Sequence, residues 1–507
     1  MLRFLPVVGL LALVVGMGSS HSPTETPKAR EFAFHRDHVI GTSLDLHVVA
    51  PDEATADAAE LTALDEIERL RLVFSTYDAG SEISALNRTR EPVKVSSEMA
   101  EVLTAYTLWQ GKSGGAFNGQ VGELVRVWKD GEKTDRLPDA LVLERITADL
   151  KKPGWTLDAT TNTVVRLTDQ PLNLNAIAKG FIIRKAADAV RKQHPTVSAL
   201  LVNLGGDILA WGEPSWAVGV QDPARRFDNA PPLAGLRVTN QAVATSGGYE
   251  RFYTIGGKRY SHIFDPATGR PVEGVASATV VAADNLTANA LATTLCVLKP
   301  EEGLKLVASV PGAECLIVAP DGTRHRSAGL KLFEISSART FTLQEKKDDK
   351  KEEPKAAWPA DFQVTVAVEL PKVEAKRYRK PYTAIWIEDD KGKAVRTLAV
   401  WGNAPKYLKD LTDWWKIGKG DTDLVKAVTR ATRGPGKYDL AWDGKDDKGE
   451  ALPQGTYTVR VEVHREFGDH LRQSGKIECK DKPTTAKLEK NAETAETGVE
   501  FKKAEKK

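Results

Sequence analysis

Five short stretches of this chain place chemically capable side chains where regular structure has to stop. In Arg259–Val272, read RYSHIFDPATGRPV, His262 ends a strand pattern and Asp265-Pro266 opens a turn. Pro266 presets φ, the Asp265 carboxylate can accept backbone N–H bonds, and Gly269 tolerates positive φ. An imidazole held at the mouth of such a turn can handle a proton near neutral pH or contact a phosphate. A well-capped surface hairpin explains the stretch equally well by itself. Tyr77, in FSTYD directly after a helical pattern, offers a ring to stack on a planar ligand, or else packs under its own loop. Asn175-Ala176-Ile177-Ala178-Lys179-Gly180 opens a helix, where free N–H groups attract phosphate and Lys179 adds a positive charge. An ordinary first turn with a solvated lysine is the plainer reading. Asn203-Leu204-Gly205-Gly206-Asp207 follows a strand, and its paired glycines allow close approach of a ligand, although Gly-Gly-Asp is also a common turn. Ala244-Thr245-Ser246-Gly247-Gly248-Tyr249 again follows a strand with hydroxyls and glycines. The dinucleotide fingerprint GxGxxG and the P-loop pattern are both missing.

These stretches need elements to hold them. Residues 42–50 alternate, with Leu44, Leu46 and Val48 on one face of a half-buried strand, and 53–73 carry Leu61, Leu64, Ile67 and Leu70 at helical spacing. Helical patterns recur at 97–110, 177–192, 285–298 and 300–309; strand patterns recur at 164–168, 199–204, 216–221, 236–244, 275–282 and 314–319. Without strict strand–helix alternation, this mixture predicts an α+β domain. At 344–357 the run QEKKDDKKEEPKAA has no apolar face and reads as a linker. Residues 358–480 then turn aromatic and β-rich, with turns at Asp389–Gly392, Asp446–Gly449 and Pro453–Gly455, which predicts a β-sandwich. The Lys/Glu-rich end, 481–507, reads as a disordered tail.

A chain of 507 residues needs two or more folded units. A net charge of +2 gives no electrostatic case for nucleic acid. Residues 2–17 are apolar apart from Arg3 and small residues follow, so residues 1–20 read as a signal peptide, with an uncleaved N-terminal membrane anchor as the alternative. No cysteine follows the apolar run, so lipoprotein attachment is not expected, and the protein is expected to be exported, periplasmic or envelope-associated. Cys296, Cys315 and Cys479 form neither a disulfide framework nor a zinc spacing and read as small core residues.

The order of the motifs is more specific than any one of them. FSTYDAGSEISALN, GGAFNGQVGELVRVW, LNAIAKG, LVNLGGDI, VATSGGYERF, SHIFDPATGRPV and ANALATTL together resemble the ApbE family of FAD:protein FMN transferases across roughly residues 33–340. The resemblance implies an exported, magnesium-using catalytic domain over 32–343 that splits FAD, joins FMN to a Thr or Ser hydroxyl of an acceptor protein, and releases AMP. Some members instead hydrolyse FAD to FMN and AMP, and a non-catalytic flavin-binding envelope protein is a third possibility. By the same resemblance, Ala178, Asn289 and Thr293 are the magnesium ligands. Tyr77, Asn118, Lys179, Asn203, Gly205, Gly206, Asp207, Thr245, Ser246, Gly247 and Tyr249 line the FAD site. His262 is the candidate for handling the acceptor proton, and Asp265 for fixing its loop. The sequence departs from the family pattern at Asn289 and Arg184, where aspartates are usual, and at Asn118-Gly119-Gln120, where a threonine is usual. The C-terminal part resembles a family of predicted periplasmic domains and the hook-capping type of immunoglobulin-like sandwich.

Overall fold

The computed structural model describes residues 29–213, 215–225, 227–249, 251–335, 356–374, 379–402, 405–419, 424–425, 428–430 and 432–504. The expected signal peptide lies outside them, as does the expected linker except for its last two residues. An eight-stranded sheet organises the first domain: β1 (Arg30–Val39), β2 (Thr42–Ala50), β3 (Ala199–Leu204), β4 (Asp207–Gly212), β5 (Ala242–Gly247), β6 (Ser277–Ala282), β7 (Glu314–Val318) and β8 (Arg324–Arg326), each antiparallel to the next. All six residues of β6 are buried, because both faces of the sheet are covered.

On one face lie the helices α1 (Glu53–Phe74), α2 (Ser97–Lys112), α4 (Asn175–Gln193) and α5 (Asn285–Val297); α3 (Gly122–Thr134) lies beside them over a smaller cluster. The periodicity that predicts α1 is real, but its buried stripe is Ala56, Ala59, Ala63, Ile67, Leu70 and Phe74, while Leu61 faces solvent. Asp52 caps α1 by accepting from Thr55 N at 2.8 Å. The other face is covered by the hairpin Trp216–Val220 with Ala234–Val238, whose Trp216, Val218 and Leu236 pack on Val243, Val281 and Leu316. An α+β domain results.

The second domain is a sandwich of two sheets around one apolar core. Its strands are β9 (Phe362–Leu370), β10 (Tyr382–Glu388), β11 (Ala394–Trp401), β12 (Gly436–Trp442), β13 (Gly455–His464), β14 (His470–Cys479), β15 (Thr484–Leu488) and β16 (Thr497–Lys503). One sheet runs β12-β9-β16-β15; the other contains β11-β10-β13-β14. Trp401, Trp442, Val459, Ile477 and Phe501 fill the space between them.

The expected disorder of 481–507 is therefore wrong over residues 484–503. β15 and β16 pair with each other, and β16 also pairs with β9. Charge on their outward faces hides an inward alternation of Leu488, Val499 and Phe501, all essentially fully buried. The three cysteines are unpaired core residues; burial pushes the Cys296 thiol up to about 12 and Cys315 up to about 11.

Candidate functional site

One cavity of about 1620 Å³ opens at the ends of β2 to β5 and the start of α4. That volume exceeds the roughly 300–1,000 Å³ of an ordinary small-molecule pocket, leaving room for a dinucleotide together with a second reactant. Tyr77, Asn118, Ala178, Lys179, Asn203, Gly205, Gly206, Asp207, Thr245, Ser246, Gly247, Tyr249, His262, Asn289 and Thr293 all line it. Asp265 alone of the sequence candidates does not.

The floor is built on the β3–β4 hairpin. Gly205 and Gly206 both have positive φ, 60° and 91°, as a two-residue turn of this hand requires. A Cβ on Gly205 would lie 2.2 Å from Thr42 Oγ1. Asn203 steadies the turn, its Oδ1 accepting from Gly206 N at 3.0 Å and its Nδ2 reaching Asp45 Oδ2 at 3.4 Å. The turn delivers the Asp207 carboxylate, 5% exposed, to two partners from the helical layer. Lys179 Nζ sits 2.6 Å from its Oδ2, and Asn289 Nδ2 donates to its Oδ1 at 3.1 Å.

Asn289 Oδ1 is buried and has no hydrogen-bond partner among the described residues. Gly180 makes the room for it, since a Cβ there would come within 2.3 Å of this oxygen. An orphaned buried oxygen on a cavity that Thr293 and Ala178 also line is the kind of neutral oxygen donor that could serve a hard cation such as magnesium. Among the described residues no cluster of three His, Cys, Asp or Glu side chains offers a stronger metal site. Asp284 is not part of the cavity lining: it caps α5, accepting from Thr287 N at 3.0 Å and Thr287 Oγ1 at 2.7 Å.

α4 begins beside the cavity at Asn175 and Ala176, but the free N–H groups expected of this turn are not found: Asn175 N donates to Asn173 Oδ1 at 3.2 Å, and Ile177 N and Ala178 N donate to the Leu174 carbonyl at 3.2 and 2.9 Å. Arg184, on the same helix, is turned away. It pairs with Glu101 of α2 and lies over the Phe181 ring, 5.2 Å from its centroid. Its departure from the family pattern is a packing feature outside the cavity.

Opposite the floor stands the His262 loop. His262 Nδ1–H donates to the Arg251 carbonyl at 2.9 Å, because a carbonyl can only accept. This leaves Nε2 as the lone-pair nitrogen of the neutral ring. Burial pushes the His262 pKa below the usual imidazole value and the charges of Arg251 and Lys179 push the same way, against the Arg251 hydrogen bond. Asp265 accepts from Ala267 N at 2.9 Å and Thr268 Oγ1 at 3.0 Å, so it fixes the turn and does not face the cavity. Gly269, φ 68°, closes the loop, and its carbonyl accepts from Trp128 Nε1 of α3 at 3.0 Å.

Tyr77 is 87% exposed at the rim, so the ring is not packed under its own loop. Asn118 lines the cavity with both polar groups occupied: Nδ2 donates to Leu150 O at 2.9 Å and Oδ1 accepts from Gln120 N at 2.8 Å. Thr245 Oγ1 meets Thr279 Oγ1 at 2.9 Å, and Ser246 Oγ lies 3.4 Å from Thr293 Oγ1. The lining also includes His38–Ser43 of the β1–β2 turn, Val218–Gln221, Arg251–Tyr253 and, from the second domain, Arg433. Sequence reasoning missed all of these. Only the Ile40-Gly41 turn leaves a local signal, with φ of 44° and 80°.

The sequence model of the ApbE family matches residues 40–317, and a family described as predicted periplasmic protein (DUF2271) matches residues 363–496. An FAD:protein FMN transferase of Treponema pallidum is 32% identical over 346 residues, 63% of this chain and 92% of the relative. One from Escherichia coli is 30% identical over 260 residues, 48% of this chain and 72% of the relative. Among solved structures, the ApbE protein of Thermotoga maritima superposes with a TM-score of 0.55 at 29% identity, covering 60% of this chain and 100% of that one.

Proposed function

This chain belongs to the ApbE family, and from that premise we propose that it transfers FMN from FAD to a Thr or Ser hydroxyl of an acceptor protein, releasing AMP. The observation that carries the reading is the convergence of Lys179, Asp207, Asn289, Thr293 and His262 on one cavity large enough for both reactants. In the reaction the acceptor oxygen forms a bond to the FMN phosphorus, the P–O bond to the AMP phosphate breaks, and the hydroxyl proton leaves with a base. His262 Nε2 is that base. Lys179 holds the pyrophosphate oxygens. Tyr77 stacks on the flavin, and Asp207 orients both Lys179 and Asn289. Asn289 Oδ1, Thr293 Oγ1 and the Ala178 carbonyl would hold magnesium, which would supply neutralisation of pyrophosphate charge.

The acceptor is an exported or membrane redox protein, and the site of action is the periplasm or envelope, a reading supported by the predicted periplasmic family match of the second domain. No helix among the described residues is long and apolar enough to cross a membrane. The test is an incubation of the full chain with FAD and magnesium, with and without candidate acceptors, following AMP, free FMN and protein-bound flavin. Stoichiometric AMP and acceptor-bound flavin is the expected result. AMP matched by free FMN, even with acceptors present, would mean a hydrolase; FAD binding without AMP at any magnesium level would mean a non-catalytic flavin protein.

A further inference from the structure

The second domain is fastened to the cavity wall. The loop 221–233 joins the two strands of the Trp216–Val238 hairpin; it starts at Gln221 on the cavity lining and carries Asp228 and Asn229 to the sandwich. Asn229 pairs with the backbone of Ala441 on the edge strand β12, Nδ2 donating to its carbonyl at 2.7 Å and Oδ1 accepting from its N–H at 2.9 Å. Asp228 N donates to Asp439 O at 2.9 Å on the same edge. The Asp228 carboxylate holds two groups of the sandwich domain: Trp401 Nε1 on Oδ2 at 2.8 Å and the Arg433 guanidinium on Oδ1 at 2.6 Å. A second tether, the ion pair of Lys380 with Asp37, lies next to His38 of the cavity lining.

Arg433 is thus fixed by one nitrogen, while the residue itself lines the cavity. Its Nε–H is without an acceptor among the described residues. Of the other cations of the lining, Lys179 shares its charge with Asp207, Arg71 is paired with Glu68 and Asp78, and Arg251 has no ion pair among the described residues. A planar guanidinium with free N–H groups, held rigid by an acid behind it, suits phosphate oxygens.

We propose that the C-terminal domain completes the substrate pocket and that Arg433 is a binding residue for the phosphate-bearing part of FAD. The assignment rests on the transferase reading above, and the test separates the two. FAD and riboflavin are titrated into the full-length protein in the presence of EDTA, following flavin fluorescence, for wild type, Arg433→Gln and Arg433→Lys. Riboflavin lacks the phosphates and reports on the rest of the pocket. Arg433→Gln is expected to weaken FAD about tenfold, to leave riboflavin unchanged and to flatten the salt dependence of FAD binding, with Arg433→Lys recovering part of the loss. Unchanged FAD affinity in Arg433→Gln would overturn the proposal. So would a parallel loss of riboflavin, which would mark a structural effect of the domain contact. A wild-type protein that binds neither flavin would instead bring down the transferase reading itself.

Discussion

Asn289 and Asp207 show how one side chain changes the chemistry of a site whose frame is intact. An aspartate at 289 would face the Asp207 carboxylate across what is now a 3.1 Å amide–carboxylate hydrogen bond. Without metal, Asn289→Asp should therefore destabilise the protein by about 1–3 kcal/mol, since a buried donor is replaced by a like charge. With magnesium the order reverses, because a carboxylate binds a hard cation better than an amide oxygen. Calorimetric magnesium titration and melting curves with and without the ion check this; a variant that melts alike in both conditions would remove residue 289 from the metal site. His262 gives a second prediction at this scale. Its pKa lies below the ordinary 6.5, so the ring is neutral at pH 7 and gains its proton only as pH falls further. Protonation removes the base, so kcat/KM should fall on the acid side with a midpoint below 6.5. His262→Gln should lose that limb and slow transfer by about 100-fold with FAD affinity nearly unchanged. A retained acid limb in the variant would assign it to another group.

Between elements, the closest constraint is the approach of α4 to α5 at Gly180. A Cβ there would meet Asn289 Oδ1 at 2.3 Å and the Asn285 carbonyl at 2.9 Å. Gly180→Ala gains up to about 1 kcal/mol of helix propensity, yet forcing the helices apart costs about 1–3 kcal/mol. The variant should lower the urea midpoint and weaken magnesium binding together, because the same displacement moves Asn289; a stabilised variant with normal metal affinity would refute this. Helices such as α1 and α5 are legible in the sequence because their 3.6-residue pattern survives tertiary packing. So are the turns at Gly205-Gly206 and Asp265-Pro266, whose chemistry is local. The strands β15 and β16 are not, because Lys and Glu on the outward face dominate composition while only three buried apolar residues, Leu488, Val499 and Phe501, record the inward face. Leu61 misleads in the opposite sense: it continues the helical pattern of α1 but lies on the solvent side, where only the neighbouring layer decides burial. The Asp207–Lys179–Asn289 contact is invisible for a third reason. It joins residues up to 110 positions apart on three elements, and no periodicity encodes which ones the sheet brings together.

At the scale of the whole molecule, the two domains share a strand edge. Of the residues along β12, Leu440 and Trp442 register with Val366 and Val364 of β9, while Asp439 and Ala441 present backbone groups to Asp228 and Asn229. This alternation is what an antiparallel edge strand requires, successive residues pointing their N–H and C=O to opposite sides. An exposed edge of this kind invites foreign pairing, and the loop of the first domain covers it. Asn229→Ala removes two of the three hydrogen bonds while touching neither the cavity lining nor the sandwich core. The Ala441 amide should then exchange with solvent about 5- to 30-fold faster, since an edge hydrogen bond is worth about 1–2 kcal/mol, while the Leu440 and Trp442 amides keep the protection given by β9. Residue-resolved hydrogen exchange on the full chain reads this directly. Equal acceleration along the whole of β12 would mean that the contact supports the sandwich itself; no acceleration at Ala441 would mean that the domains are not docked through this edge, and Arg433 would lose the anchor that brings it to the cavity.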